Sequence, residues 1–132
     1  MKSSVVIVSA LAGLGFAAAA ACFSERAAGP GAGAAQCRVP VTVIDSMHYL
    51  VAIRDFAFQP DSLAVPAGAT VTWLNCEDGG QEPHTTTSDT VGVWNSPELL
   101  PGARFSHRFV GTGAFPYHCI PHPFMLGKIV VQ

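Results

Sequence analysis

Tyr117-His118-Cys119-Ile120-Pro121-His122-Pro123-Phe124-Met125-Leu126-Gly127-Lys128 delivers a thiol, an imidazole and a thioether from one short turn. The turn joins two runs of strand composition, Phe115 to Cys119 and Lys128 to Val131. Pro121 and Pro123 stiffen it, because each ring fixes φ and removes freedom from the loop. Cys119 closes the first strand, and His122 and Met125 follow before the second begins.

A metal centre needs one more donor, and His84 supplies it. It follows Pro83, beyond a strand that ends near Asn75. Two imidazoles and one thiolate form a trigonal set, with a thioether approaching weakly along the axis. That is the ligand set of blue-copper electron transfer. Sulfur donors favour Cu(I), whereas imidazole accepts both oxidation states, so a one-electron change demands little rearrangement. The site expected is therefore His84, Cys119, His122 and Met125 around a single type-1 copper ion cycling between Cu(I) and Cu(II). Zinc is the chief competitor, but zinc sites are built from Cys, His and carboxylates and seldom recruit methionine. The bland alternative is a chance cluster in a core-facing loop.

Outward from this turn the chain reads as strands. His48 to Arg54, Leu63 to Val65, Thr70 to Leu74 and Arg104 to Phe109 carry alternating or β-branched patterns, and Val39 to Val43 alternates as well. Val51 and Ile53 share a face, yet Phe56 and Phe58 have the opposite parity, which requires a bulge or bend near Asp55. Residues 76 to 90 are polar and rich in Gly and Thr, and read as a long loop. Ten prolines and thirteen glycines suit short strands and turns. The fold expected from this pattern is all-β, an antiparallel Greek-key sandwich or barrel of seven to eight strands whose loops gather at two poles. Trp73, Trp94, Phe56, Phe58, Phe105, Phe109 and Phe115 are assigned to its core.

From about Ile53 to Val131 the chain resembles the cupredoxins of the plastocyanin and pseudoazurin type, and its ligand loop is most similar to that of amicyanin. The matching stretches are Asp55 to Pro60, Val71 to Asn75, Pro83-His84, Pro101-Gly102, Phe105 to Phe109 and Tyr117 to Lys128. The resemblance implies a cupredoxin-like sandwich, one type-1 copper and an electron carrier that is not an enzyme. One position departs: the family commonly has Asn after the first histidine ligand, where this chain has Thr85. The Thr85 hydroxyl is a candidate for the same bond across to the cysteine loop.

The remaining histidines fall outside the copper set. His118 neighbours Cys119 in a strand and points to the opposite face, a surface position. His107 shares the inward parity of Phe105 and Phe109. His48 carries no metal argument. Cys37 and Cys76 are left over, and in an oxidising compartment they are expected to pair.

Residues 1–22 read as an export signal: Lys2 precedes an apolar span, Val5 to Ala21, ending in small residues. Cys22 directly after them resembles a lipoprotein attachment site and a membrane tether, although Ala19 stands where such sites usually have Leu. Residues 23–36 form a flexible Gly/Ala-rich linker, and 37–132 the copper domain. The protein is thus expected in the periplasm or on the outer face of a membrane, as a monomer. Its formal net charge is −2 with no basic run, which excludes nucleic acid as a partner. The partners expected are redox proteins of dehydrogenase or cytochrome type. Phe124, Pro121, Pro123 and Leu126 would form an apolar docking rim around His122, and Glu77, Asp78 and Glu82 would steer a basic partner. The alternative is a module for copper storage or delivery. Such modules use exchangeable, often Met-rich sites, whereas this chain has three methionines, one of them Met1.

Overall fold

The computed structural model describes Cys37, residues 42–78 and residues 80–132. The signal segment (1–22), the linker (23–36) and the start of the first alternating run lie outside the described residues. Nine strands follow in order: β1 (Val43–Asp45), β2 (His48–Arg54), β3 (Ala57–Gln59), β4 (Ser62–Val65), β5 (Thr70–Asn75), β6 (Thr87–Ser88), β7 (Arg104–Arg108), β8 (Gly113–His118) and β9 (Leu126–Val131).

They form two sheets. One has the order β1-β2-β5-β7, with β3 also paired to β2; the other has the order β4-β9-β8-β6. The all-β sandwich matches the expectation, with two differences. Among the described residues there are nine strands instead of seven or eight, because β3 and β6 span only three and two residues and leave no periodic trace. The sheets are also not purely antiparallel: β2 runs parallel to β5, and β4 parallel to β9. Parallel neighbours require crossovers between the sheets, and a local pattern of alternation carries no record of them.

The slip in parity between Ile53 and Phe58 is met by the bend expected near Asp55, sharp enough to reverse the chain, and not by a bulge. Strands β2 and β3 form a hairpin in which Arg54 pairs with Ala57, leaving Asp55 and Phe56 as the turn. Both turn residues have positive φ, 53° and 54°. Positive φ at both central residues is the demand of a type I′ hairpin turn. Gly or Asn normally meets that demand, so a phenylalanine here is held against its own preference.

Between the sheets lies one aromatic and aliphatic core. Trp73 from β5 stacks on Trp94 (ring centroids 5.6 Å apart) and meets Tyr117 from β8 edge-on at 5.4 Å. Phe58, Phe109, Val51, Ile53, Val71, Ile129 and Val131 complete it, and Cys119 and Met125 belong to the same buried cluster. Phe105 and Phe115 pack against its margin. Fully burying one such side chain stabilises the fold by about 1.5–3 kcal/mol. Phe56 is the exception to the expected core: it is 38% exposed, because the turn carries it past the end of the sandwich.

Tyr117 also fixes how the chain leaves the ligand turn. It pairs with Gly127 across β8 and β9, and a Cβ at Gly127 would stand 2.2 Å from the tyrosine ring. Only glycine lets the phenol lie flat there, two residues beyond Met125. Cys37 and Cys76 form the expected disulfide, with Cα atoms 5.4 Å apart.

Candidate metal centre

Four chain segments meet at one pole: the β2–β3 turn, the loop after β5, the bridge at His84 and the turn between β8 and β9. Each is held by backbone hydrogen bonds. His84 pairs with Leu99 in both directions, at 3.1 and 2.7 Å. Buried Asn75 braces the loop between, its Nδ2 donating to the carbonyls of Glu82 (2.9 Å) and Leu99 (2.7 Å). The ligand turn closes on itself, with Met125 N–H donating to His122 O at 2.8 Å and Cys119 N–H to Met125 O at 3.1 Å.

Three of the four side chains expected from the sequence converge. Donor atoms of His84, Cys119 and His122 all lie within 4.8 Å of one another. Each imidazole turns its Nδ1 toward the Cys119 sulfur at 3.7 Å. His84 and Cys119 are buried and His122 is half-buried. Met125 is buried with them, at the end of the turn. Burial holds the His84 pKa below the ordinary histidine value, against the opposing pull of Glu77. A neutral imidazole is the form that binds metal.

The surroundings of the sulfur answer the question raised by Thr85. Its backbone N–H donates to Cys119 Sγ at 3.3 Å, while its hydroxyl accepts the Ile120 N–H at 2.8 Å. The threonine therefore ties the His84 segment to the cysteine turn, the bond that Asn commonly makes in the family. The other histidines stand apart from the cluster. His118 faces outward and hydrogen-bonds Asp89 at 2.6 Å. His107 stacks on Trp94 at 5.2 Å, and His48 pairs with Asp45.

Two contributors were missed in the sequence. The ring of Phe56 stands edge-on to both His84 (5.5 Å) and His122 (5.0 Å). Glu77 is 9% exposed, so it is not a free steering charge; its carboxylate reaches His84 Nε2 at 3.2 Å. Asp78 and Glu82 remain exposed. Only the break in parity at Phe56 and the nearness of Glu77 to His84 in sequence hinted at either role.

A thiol and two imidazoles at these separations suit a copper ion, and a methionine, a residue that zinc sites seldom recruit, lies buried at the end of the same turn. A two-sheet sandwich with a His–Cys–His cluster at one pole is the architecture of a cupredoxin. The profile of copper-binding proteins of the plastocyanin/azurin family matches residues 46–132, and the chain belongs to that family. It is 36% identical to amicyanin-alpha of Methylorubrum extorquens over 121 residues, covering 90% of this chain and 98% of that one. Amicyanin of Paracoccus denitrificans is 34% identical, over 63% of this chain and 64% of its own length. Among solved structures, a purple cupredoxin from Nitrosopumilus maritimus aligns with a TM-score of 0.58 at 31% identity, covering 63% of this chain and 98% of that one. An amicyanin mutant in its reduced Cu(I) form aligns with the same TM-score at 33% identity, covering 68% and 86%. The protein is accordingly a type-1 copper protein that carries single electrons.

Proposed function

We propose that His84, Cys119, His122 and Met125 together hold the copper ion, and that electrons pass through the His122 edge to redox proteins of dehydrogenase or cytochrome type. The convergence of the two Nδ1 atoms and one Sγ within 4.8 Å carries this reading. When bound, copper supplies the one-electron couple. The chain's own work is to keep the donors in one arrangement and to keep water away from the sulfur.

Exposed apolar side chains around His122 support its role as the exit. Phe124 is 69% exposed, Ile120 in the same turn is about half exposed, and Phe56 adds its ring beside the histidine. Weak redox encounters bury little area and release quickly, which suits a small apolar rim. Asp78 and Glu82, exposed near the same pole, favour a partner with a basic face. A closed set of four donors offers no position for substrate, so the protein acts as a carrier and not as an enzyme. It does so as a monomer, exported to the periplasm or the outer membrane face, where a lipid on Cys22 would tether it.

The test is the visible absorption and paramagnetic resonance spectrum of the copper-loaded protein. An intense thiolate-to-Cu(II) band is expected, lost in Cys119→Ser. Its absence from the wild-type protein, or its survival without the sulfur, refutes the assignment.

A further inference from the structure

Glu77 makes three hydrogen bonds that no feature of the ligand turn requires. Its Oε2 accepts the Asp55 N–H at 3.1 Å, its Oε1 accepts the Phe56 N–H at 2.8 Å, and Oε1 also accepts from His84 Nε2 at 3.2 Å. The backbone that carries this side chain is also held, since the Glu77 N–H donates to Asn75 Oδ1 at 3.0 Å. We propose that Glu77 is a positioning residue of the metal centre: it fixes the His84 tautomer, tunes that ligand's basicity, and locks the Phe56 turn over both histidines.

The His84 ring is fixed from both sides. His84 has one nitrogen, Nδ1, turned to the Cys119 sulfur. The other must then carry the proton, and a carboxylate is the acceptor that selects that tautomer and turns the ring to a single angle. The bond is charge-assisted and almost wholly withdrawn from water, conditions under which such bonds are strongest.

The turn supplies the second half. Asp55 and Phe56 both sit at positive φ, where a bulky residue stays only if its surroundings hold it. Two turn amides donating to one carboxylate provide that hold. The consequence is that the Phe56 ring is fixed edge-on at 5.5 Å from His84 and 5.0 Å from His122. One carboxylate thus sets the angle of the first imidazole and covers the second.

A negative charge on the far side of His84 makes the imidazole a better donor and favours the more highly charged Cu(II) state. Removing that charge should therefore raise the reduction potential. Partners of this kind typically change metal affinity by about 10- to 100-fold. With the lower end of that loss falling on the Cu(II) state alone, the equilibrium constant for reduction should rise about tenfold in E77Q, which for one electron is about 59 mV.

This inference rests on His84 being a copper ligand, and the experiment separates the two. The potentials of copper-loaded wild type, E77Q and E77A are measured beside their absorption spectra and thermal stabilities. In the Cu(I) forms, exchange protection of the His84 Nε2 proton is followed by nuclear magnetic resonance. Expected are a blue E77Q with the raised potential, and an E77A in which that proton exchanges freely. A blue wild type whose E77Q variant keeps the same potential overturns the role of Glu77 alone, even if the variants melt earlier. A wild type without the blue band overturns the copper reading, and the role of Glu77 with it.

Discussion

Phe124 leaves 69% of its surface in water beside half-buried His122, with the two ring centroids 6.0 Å apart. Nothing in the fold needs it there, so its contribution lies in contact with another molecule. Replacing Phe124 by Lys removes apolar docking area and sets a positive charge against a basic partner. The electron-transfer rate to the partner should fall about tenfold, the effect of losing 1–2 kcal/mol of contact, while the absorption spectrum stays the same. Unchanged kinetics would place the docking face elsewhere. At this scale the sequence was informative wherever chemistry comes packed into a short span. Cys119, His122 and Met125 share one turn, and the donor types name the metal. It was uninformative at Glu77 and Phe56, because a carboxylate and a phenylalanine have common bland uses. Their roles arise only when a distant turn folds against the loop after β5.

Strands β2, β5, β7, β8 and β9 were legible because each is long enough to repeat a period of two. The short β3 and β6 were not. Nor were the parallel pairings, since register between strands distant in sequence is set by the packed core and not by local alternation. The loop after β5 shows how an irregular element is made to hold a ligand. Asn75 donates both to the Glu82 carbonyl of this loop and to the Leu99 carbonyl of the segment paired with His84, and the Cys37–Cys76 bridge fastens its start, closing a separation of 39 residues. Arg54 reinforces the junction by donating to the Cys37 carbonyl. Cross-linking a loop of this length removes chain entropy from the unfolded state worth about 3–4 kcal/mol. A Cys37→Ser, Cys76→Ser double variant should be less stable by that amount in denaturant unfolding of the copper-loaded protein. Its blue band should remain, because Cys76 lies outside the donor set. Loss of the band in a still-folded variant would mean that the bridge shapes the metal centre directly.

The whole molecule is a sandwich whose aromatic core runs from the copper pole to the side closed by β7. His107 occupies that side, stacked on Trp94 at 5.2 Å and edge-on to Phe109 at 4.9 Å. Its inward position was readable from parity with Phe105 and Phe109; the consequence for stability was not, because it depends on what the opposite sheet presents. Partial burial among these rings lowers the His107 pKa from its ordinary value. The unfolded chain therefore binds a proton more readily than the folded one at this site. Stability gained from keeping the ring neutral is fully present above about pH 6.5 and declines as pH falls from there toward the lowered folded value. Below that value both states are protonated and the dependence levels off. His107→Phe keeps an aromatic ring against Trp94 and removes the titration. Unfolding free energies of the copper-loaded wild type and H107F should diverge in the variant's favour as pH drops below 6.5. Acid effects at the ligands are common to both proteins and cancel in the difference. Parallel curves across that range would show that the core carries a charged imidazole without penalty, and that solvent reaches the edge of β7 more freely than its packing implies.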